Sequence, residues 1–342
     1  MSTLFIDSSY IAYSKMFVCR REETAEEGFG LWRFYYINDI FKYIKQFEDV
    51  TEVVVARDSK ANWRRNIFPW YKKHRKVTRN ADEAKAKAED HWFTWQEFYD
   101  YQEEFINVMK KYVPVKVLEV NTAEADDIIA VLCQRIKGKK FVVTTDHDYI
   151  QLLQNDDVKI FSPMKKAYLH DDNPKHHMLV KVMAGDKSDF IPSIGVKYTF
   201  KPEFLRYCVM EGLAENEKFA QVKMENDDTL LYDWYFKYLN QYGVSPARAK
   251  NFTEKMAKHH ISEESVKELL ESDEKLKEDF KRNNKLVNLT AQPKAIKKKI
   301  IDQYENYELP KTNLLKFCKE NKFRHFMEHI SEFSELLKPL KG

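Results

Sequence analysis

Cysteine is scarce in this sequence. The four cysteines, Cys19, Cys133, Cys208 and Cys318, form no Cys-x-x-Cys pair and no Cys/His spacing of the kind that binds zinc. We therefore expect reduced cysteines that pack inside a cytosolic protein, and no disulfides.

Long apolar segments and a strong net charge are also absent. No hydrophobic run approaches the roughly 18 residues that a membrane span needs, and the N-terminus has no signal-peptide pattern. We therefore expect a soluble protein. Because 57 Lys and Arg nearly balance 54 Asp and Glu, the net charge of +3 does not by itself indicate a polyanion-binding protein. No phosphate-binding glycine loop and no Ser/His/Asp arrangement is evident.

Strand-like and helix-like segments alternate through about the first 180 residues. The strand-like runs are Leu4–Ile6, Val53–Val55, Val115–Leu118, Phe141–Val143 and Val158–Phe161, and helical patterns occupy about 31–47, 95–111 and 125–136. This alternation predicts an α/β fold with a mostly parallel central sheet flanked by helices. Since 342 residues exceed the usual size of one core, we expect two domains, an α/β domain at 1–178 and a smaller helical domain at 179–342.

Acidic residues stand at the ends of several strand-like runs or at the start of the helix that follows. They are Asp7, Asp58, Glu124, Asp126, Asp127, Asp146 and Asp148, and a further pair, Asp186 and Asp189, follows a short helical segment. In an open α/β sheet the carboxyl ends of the strands meet in one crevice. Two charges about 4 Å apart repel by roughly 4 kcal/mol at an effective dielectric near 20, so such a cluster favours a divalent cation. Oxygen ligands alone indicate Mg²⁺ or Mn²⁺ rather than Zn²⁺.

The local spacing of these acids suggests how they are arranged. In the EADD segment, Glu124 and Asp127 would share one helical face and Asp126 would point elsewhere. Acids at a helix start also stabilise the helix dipole, which is the alternative explanation for one or two of them. In TTDHD, an extended segment would direct Asp146 and Asp148 to the same side.

A block of basic and aromatic residues follows Asp58. No acid occurs before Asp82, and the cations alternate with aromatic side chains, namely Trp63, Phe68, Trp70 and Tyr71. This composition suits phosphate neutralisation together with base stacking, although a solvated basic face is the simpler alternative. The polar segment that follows predicts a helix, so residues of about 60–95 would form a basic arch beside the crevice.

The motifs together resemble a known family. The chain is similar to the phage ribonuclease H and 5′-nuclease branch of the flap endonuclease family over about residues 3–200, through the ordered segments LFID, VVVARD, WRRNIFPWYKKHR, EADDIIAVL, TTDHDYIQLL, SPMKKAYL and MAGDKSDFIPSIGVK. The resemblance implies a PIN-like 5′-nuclease core. It also implies a helical DNA-binding domain that begins with a helix–three-turn–helix-like element, although Phe190 stands where the family usually has asparagine.

The resemblance also implies residue roles. Asp7, Asp58, Asp126 and Asp146 would bind a first Mg²⁺, with Glu124 and Asp127 in its inner or outer shell. Asp148, Asp186 and Asp189 would serve a second ion, and Mn²⁺ could substitute. Lys72 matches the lysine that contacts the attacked phosphate, and Arg64 and Arg75 match basic arch residues.

The implied function is structure-selective 5′ nuclease activity that removes RNA primers and 5′ flaps during DNA replication. Expected partners are duplex DNA and RNA:DNA with a free 5′ end or flap, and a sliding clamp or single-strand binding protein. We expect a monomer in the cytoplasm, which is the host bacterial cytoplasm if a phage encodes the protein. Two alternatives are a catalytically idle binder of branched DNA and a PIN-like single-strand RNA nuclease.

Overall fold

The computed structural model describes residues 1–250 and 252–341, which form two compact units. Unit 1 comprises Met1–Trp63, Lys85–His177 and the chain from Leu289 onward, and unit 2 comprises Arg64–Ala84 and Met178–Asn288. The predicted division at residue 178 differs from this one in two segments. The chain from Leu289 onward lies in unit 1, and the arch residues Arg64–Ala84 lie in unit 2. The last segment belongs to unit 1 because its apolar side chains, including Phe317 and Phe326, are part of the unit 1 core.

A six-stranded sheet forms the centre of unit 1. Its strands are β1 (Ser2–Asp7), β2 (Val50–Arg57), β3 (Lys116–Glu119), β4 (Lys139–Val143), β5 (Val158–Ser162) and β6 (Ala167–Tyr168). The order is β3-β2-β1-β4-β5-β6, and every pairing is parallel except that of β6 with β5. This confirms the predicted mostly parallel sheet. The strand order reverses between β1 and β4, which is where open α/β sheets bind ligands.

Helices cover this sheet. They are α1 (Ser8–Cys19), α2 (Ala25–Gln46), α4 (Trp95–Tyr112), α5 (Ala125–Arg135), α13 (Lys294–Glu305), α14 (Leu314–Glu320), α15 (Arg324–Glu328) and α16 (Ile330–Leu337). Helix α5 packs against β1 and β2, and α2 contributes Trp32 and Tyr36 to the core. The four cysteines are free and buried, as predicted. Among the described residues, no helix combines the length and the apolar character that crossing a bilayer requires.

Unit 2 is mainly helical. Its elements are α3 (His74–Ala88, of which the first eleven residues belong here), α6 (Pro174–Ala184, mostly here), β7 (Lys197–Phe200), α7 (Pro202–Met210), α8 (Glu217–Asn226), α9 (Asp228–Tyr242), β8 (Ala247–Lys250), α10 (Glu254–His260), α11 (Glu263–Ser272) and α12 (Glu274–Val287). Strands β7 and β8 pair antiparallel in a separate two-stranded ribbon.

The segment after α6 differs from the predicted helix–three-turn–helix-like element. The GDKSDFIPSIGVK turns lead into β7, and the next helix, α7, begins only at Pro202. The YTF sequence is β-branched and aromatic and therefore favours a strand, while proline suits the first position of a helix. Helix α12 holds the turns in place, because the Asp279 carboxylate accepts a hydrogen bond from the Gly195 amide (2.8 Å) and Asn283 donates to the Pro192 carbonyl (2.8 Å).

Candidate active site

Asp7 lies at the end of β1 and caps α1. Its Oδ1 accepts hydrogen bonds from the amides of Ser9 (3.0 Å) and Tyr10 (3.4 Å), and its Oδ2 accepts one from the Tyr149 hydroxyl (3.2 Å). Burial, followed by the charges of Asp58 and Asp146, raises the pKa of Asp7 to about 7. Two carboxylates from other strand ends therefore lie close enough to Asp7 to hold a proton on it.

Asp58 follows the last residue of β2 and accepts hydrogen bonds from the first turns of two helices, α1 and α5. Its Oδ1 accepts a hydrogen bond from the Ala125 amide at the first residue of α5 (2.8 Å), and its Oδ2 accepts one from the Ser9 hydroxyl (2.7 Å). Because both oxygens are fixed by neighbouring helices, the carboxylate has a defined orientation beside Asp7.

Asp146 caps a short 3-10 helix, His147–Gln154, instead of lying on an extended segment. Its Oδ1 accepts a hydrogen bond from the Asp148 amide at 2.8 Å. The predicted same-side alternation of Asp146 and Asp148 is therefore wrong, because the chain turns into a helix immediately after Asp146.

Tyr149 marks the point where the acids meet. Its side chain is fully buried, and burial, followed by the charges of Asp7, Asp126, Asp146 and Asp58, raises the pKa of its hydroxyl well above the ordinary value. The Tyr149 hydroxyl thus donates to Asp7 and is also influenced by the charges of Asp126, Asp146 and Asp58. Tyr149 is a site residue that its sequence context does not single out, although a buried tyrosine usually needs a partner for its hydroxyl.

Asp127 is held by the start of α5 and by Trp63. It is completely buried, and its Oδ2 accepts hydrogen bonds from the Trp63 indole (2.9 Å) and the Glu124 amide (3.1 Å). Glu124 and Asp127 form a reciprocal capping box at the start of α5. The helix start and Trp63 bind one oxygen of the Asp127 carboxylate, so its place in the inner or outer shell of a metal ion stays a prediction.

In unit 2, Asp186 and Asp189 are surrounded by cations. Asp186 forms an ion pair with Lys181 (2.8 Å) and accepts hydrogen bonds from Ser188. Burial opposes ionisation of Asp186, but Lys181 and Ser188 outweigh it and lower the pKa of this carboxyl. The Asp189 carboxylate accepts a hydrogen bond from the Tyr71 hydroxyl at 2.9 Å.

Lys72 and Arg75 both contact Asp189. The Lys72 ammonium lies 3.6 Å and the Arg75 guanidinium 2.8 Å from its carboxylate oxygens. Lys72 has a positive φ of 55°, and its amide donates to the Asp189 carbonyl at 2.9 Å. The backbone at Lys72 is therefore held in a conformation that is uncommon for a residue other than glycine.

Arg64 and the aromatic residues of the basic block are buried instead of exposed to a ligand. The Arg64 side chain is 1% exposed and donates from Nε to the Leu286 carbonyl at 2.9 Å, and Phe68, Trp70 and Tyr71 belong to a core of unit 2. The predictions of base stacking by these rings and of phosphate contact by Arg64 are wrong, because residues from α9 and α12 cover this segment.

The amino-acid sequence is similar to those of known proteins. A family model described as the 5′-3′ exonuclease N-terminal, resolvase-like domain matches residues 2–183. Ribonuclease H of Enterobacteria phage T4 is 26% identical over 240 residues, which cover 65% of this chain and 75% of that protein. A 5′-3′ exonuclease of Buchnera aphidicola subsp. Schizaphis graminum is 24% identical over 213 residues, or 57% of this chain and 67% of the relative.

Solved structures give the same result for the fold. The phage T5 5′-exonuclease with bound zinc ions matches with a TM-score of 0.51 and 16% identity over 89% of this chain and 99% of that chain. A T5 flap endonuclease in a complex with DNA and metal ions matches with a TM-score of 0.51 and 17% identity over 89% and 98%. The predicted likeness to phage ribonuclease H and the prediction of a nuclease are confirmed. Since the family model covers more than half of the sequence, this chain belongs to the 5′-3′ exonuclease family.

Proposed function

We propose that this protein is a Mg²⁺-dependent, structure-selective 5′ nuclease that removes RNA primers and 5′ flaps during DNA replication. The observation that carries the proposal is a set of four acids whose charges reach the buried Tyr149 hydroxyl: this hydroxyl donates to Asp7, and burial, followed by the charges of Asp7, Asp126, Asp146 and Asp58, raises its pKa. Catalysis in place of idle binding is supported because all four carboxylates are present, three of them at or after strand ends and Asp126 in the first turn of α5.

The donor set of this cluster fits a hard divalent cation. All four ligand candidates are carboxylates, and burial, followed by the charges of Asp58 and Asp146, raises the pKa of Asp7 to about 7. Oxygen donors of this kind suit Mg²⁺ or Mn²⁺. When bound, such an ion supplies charge neutralisation at the scissile phosphate and activation of water. The assignment of Asp148, Asp186 and Asp189 to a second ion, and an outer role for Glu124, stay predictions.

Side chains of each unit have separate tasks in this mechanism. Tyr149 and Ser9 orient the carboxylates of Asp7 and Asp58 through their hydroxyl groups. Lys72 and Arg75 bind the substrate phosphate. Its anionic oxygen atoms would replace the carboxylate oxygens of Asp189, which both side chains now contact. Phosphate binding would therefore exchange one anion for another instead of desolvating free cations.

The main test compares metal dependence on several substrates. Purified protein is expected to shorten a 5′-labelled RNA or DNA primer annealed to template, to lose this activity in chelator and to recover it with added Mg²⁺. Nicked, gapped and flapped duplexes would show whether exonuclease or flap cleavage dominates. Cleavage that persists in chelator, or that is confined to single-stranded RNA, would contradict the proposal and would favour the PIN-like alternative in the second case.

A basic face on the β7/β8 ribbon supports duplex binding by unit 2. Lys197 pairs with Lys250 and Thr199 with Arg248, so all four side chains lie on one face of the ribbon, and all four are exposed. Among the described residues, none forms an ion pair with Lys197, Arg248 or Lys250. These cations are therefore available to phosphates, and Lys197 follows directly after the turns that precede β7.

Replacing Lys197, Arg248 and Lys250 with glutamine is expected to reduce the salt dependence of duplex binding. The slope of log K against log salt would become less steep by about 2.7 if each cation neutralises one phosphate of B-DNA. Binding is measured in chelator, which prevents hydrolysis. The matched control replaces three exposed lysines of unit 1, Lys111, Lys137 and Lys319, with glutamine. An equal change of slope in both variants would show an effect of net charge and would exclude a contact at the ribbon.

The remaining partner predictions need separate measurements. Association with a sliding clamp or a single-strand binding protein, the monomeric state and the cytoplasmic location stay predictions.

A further inference from the structure

Helix α15 and the first turns of α16 carry a group of metal-binding side chains outside the acidic cluster. In the sequence HFMEHISE, His325, Glu328 and His329 are spaced at i, i+3 and i+4, which places them on one helical face. One ligand atom from each lies within 4.8 Å of the others, and all three side chains are exposed. The two imidazole rings are 4.8 Å apart between centroids.

The surrounding structure holds this group in place. The His325 ring packs near Phe34 (6.1 Å) and Phe326 (5.8 Å) between centroids, and Phe326 is fully buried in the core of unit 1. The His329 amide donates to the His325 carbonyl at 3.3 Å, which keeps the turn helical through the junction of α15 and α16. The first histidine is therefore positioned by packing and the second by the backbone.

A second carboxylate lies one turn further along. Glu332 forms an ion pair with Lys45 at 3.0 Å. That hydrogen bond, the charge of Lys45 and then the two histidines lower the pKa of Glu332. Lys45 offsets the charge of Glu332, so Glu328 is the carboxylate that lies beside both imidazoles and favours a bound cation at this place.

The chemistry of this group differs from that of the acidic cluster. Imidazole nitrogen suits zinc, copper and nickel ions, whereas Mg²⁺ prefers oxygen alone. We propose that His325, Glu328 and His329 bind one Zn²⁺-class transition-metal ion and leave its fourth position to water. Ligands at a tetrahedral zinc ion are about 3.4 Å apart, so rotation of these exposed side chains would close the remaining gap.

Metal binding here has a structural consequence. His329 ends α15 and precedes α16, so an ion held by His325 and His329 would join the two short helices across their junction. Helix α16 packs on α2, and Leu337 at its end is buried in the unit 1 core. The ion is therefore expected to stabilise the C-terminal helices and to raise the thermal unfolding temperature of the protein.

The test measures Zn²⁺ binding to the full chain by calorimetry, after chelator treatment and in excess Mg²⁺, which competes for the carboxylate cluster. One equivalent of Zn²⁺ is expected to bind, and replacing both His325 and His329 with alanine should weaken this binding by roughly tenfold or more. Co²⁺ should give the absorption bands of a tetrahedral site in the original protein and not in the double variant.

Control variants separate this site from other binding. His170→Ala removes another exposed histidine and should leave Zn²⁺ binding unchanged, and Asp146→Asn should also leave it unchanged. Zn²⁺ should raise the unfolding temperature of the original protein but not that of the double histidine variant. The proposal is overturned if no Zn²⁺ binds in excess Mg²⁺, if the double variant binds as tightly as the original, or if Asp146→Asn abolishes the binding. Nuclease activity does not enter these readouts, so the result is independent of the proposed function.

Discussion

Asp146→Asn is expected to reduce the rate of primer cleavage in Mg²⁺ by at least about 10³-fold, because it removes one charge from the four-carboxylate cluster. The substitution should preserve local structure. Asparagine is a good helix cap, and its side-chain oxygen can accept the hydrogen bond that Asp148 now donates to Asp146. Single-turnover cleavage of a 5′-labelled substrate would measure the loss directly.

The pH dependence of protein stability distinguishes this loss of activity from misfolding. In chelator, the folded protein holds the proton of Asp7 more tightly than the unfolded chain, since the pKa of this carboxyl rises from 3.8 to about 7. The stability of the metal-free protein should therefore fall as pH rises through that interval, and Asp146→Asn should reduce the fall because it removes a source of repulsion. The control Asp156→Asn removes an exposed acid and should change neither property. Undiminished cleavage by a folded Asp146→Asn variant would contradict the assignment of this residue.

Lys72→Ala is expected to lower kcat by about 10²- to 10³-fold with a smaller effect on KM, because a phosphate contact that strengthens in the transition state is lost. Alanine carries a Cβ atom as lysine does, so the cost of the positive φ at this position is nearly unchanged. Loss of the partly exposed contact with Asp189 should cost about 1 kcal/mol of stability or less.

Two comparison variants test whether the loss of kcat is specific to position 72 and whether it depends on charge. Lys275→Ala removes an exposed lysine of α12 and should retain full kcat. Lys72→Arg keeps the charge, so partial recovery of kcat is expected if charge at this position is what matters. A rise in KM alone, with kcat unchanged, would assign Lys72 to substrate binding and would remove it from the transition-state contacts.

Much of the α/β core could be predicted because its signals are local. The apolar runs that end at Ile6, Val55 and Val143 lie within β1, β2 and β4, and the acids that follow them gather at the same edge of the sheet. The apolar runs identify the strands, and the parallel direction of the strands brings the acids together, since parallel strands present their carboxyl ends at the same edge. The helical pattern at about 95–111 lies within α4, whose Phe98 and Phe105 are buried.

The basic block could not be predicted as well because its environment comes from distant residues. Phe68 and Trp70 pack with Tyr232, which lies more than 160 residues away in the sequence, and Arg64 donates to the carbonyl of Leu286. Composition alone made these side chains candidates for contact with nucleic acid. Only the packing of unit 2 shows that Lys72 and Arg75 remain near solvent while Arg64 does not.

The amino-acid sequence by itself determined the central sheet, the family of the protein and the acids at the strand ends, because these depend on periodicity and on residues close to one another in the chain. The tertiary structure decided which of the acids and cations remain available for ligands. The Asp127 carboxylate, for example, is completely buried and accepts a hydrogen bond from the indole of Trp63, which is 64 residues away in the sequence. Its bond from the Glu124 amide follows from local spacing, whereas burial and distant partners are set by long-range packing.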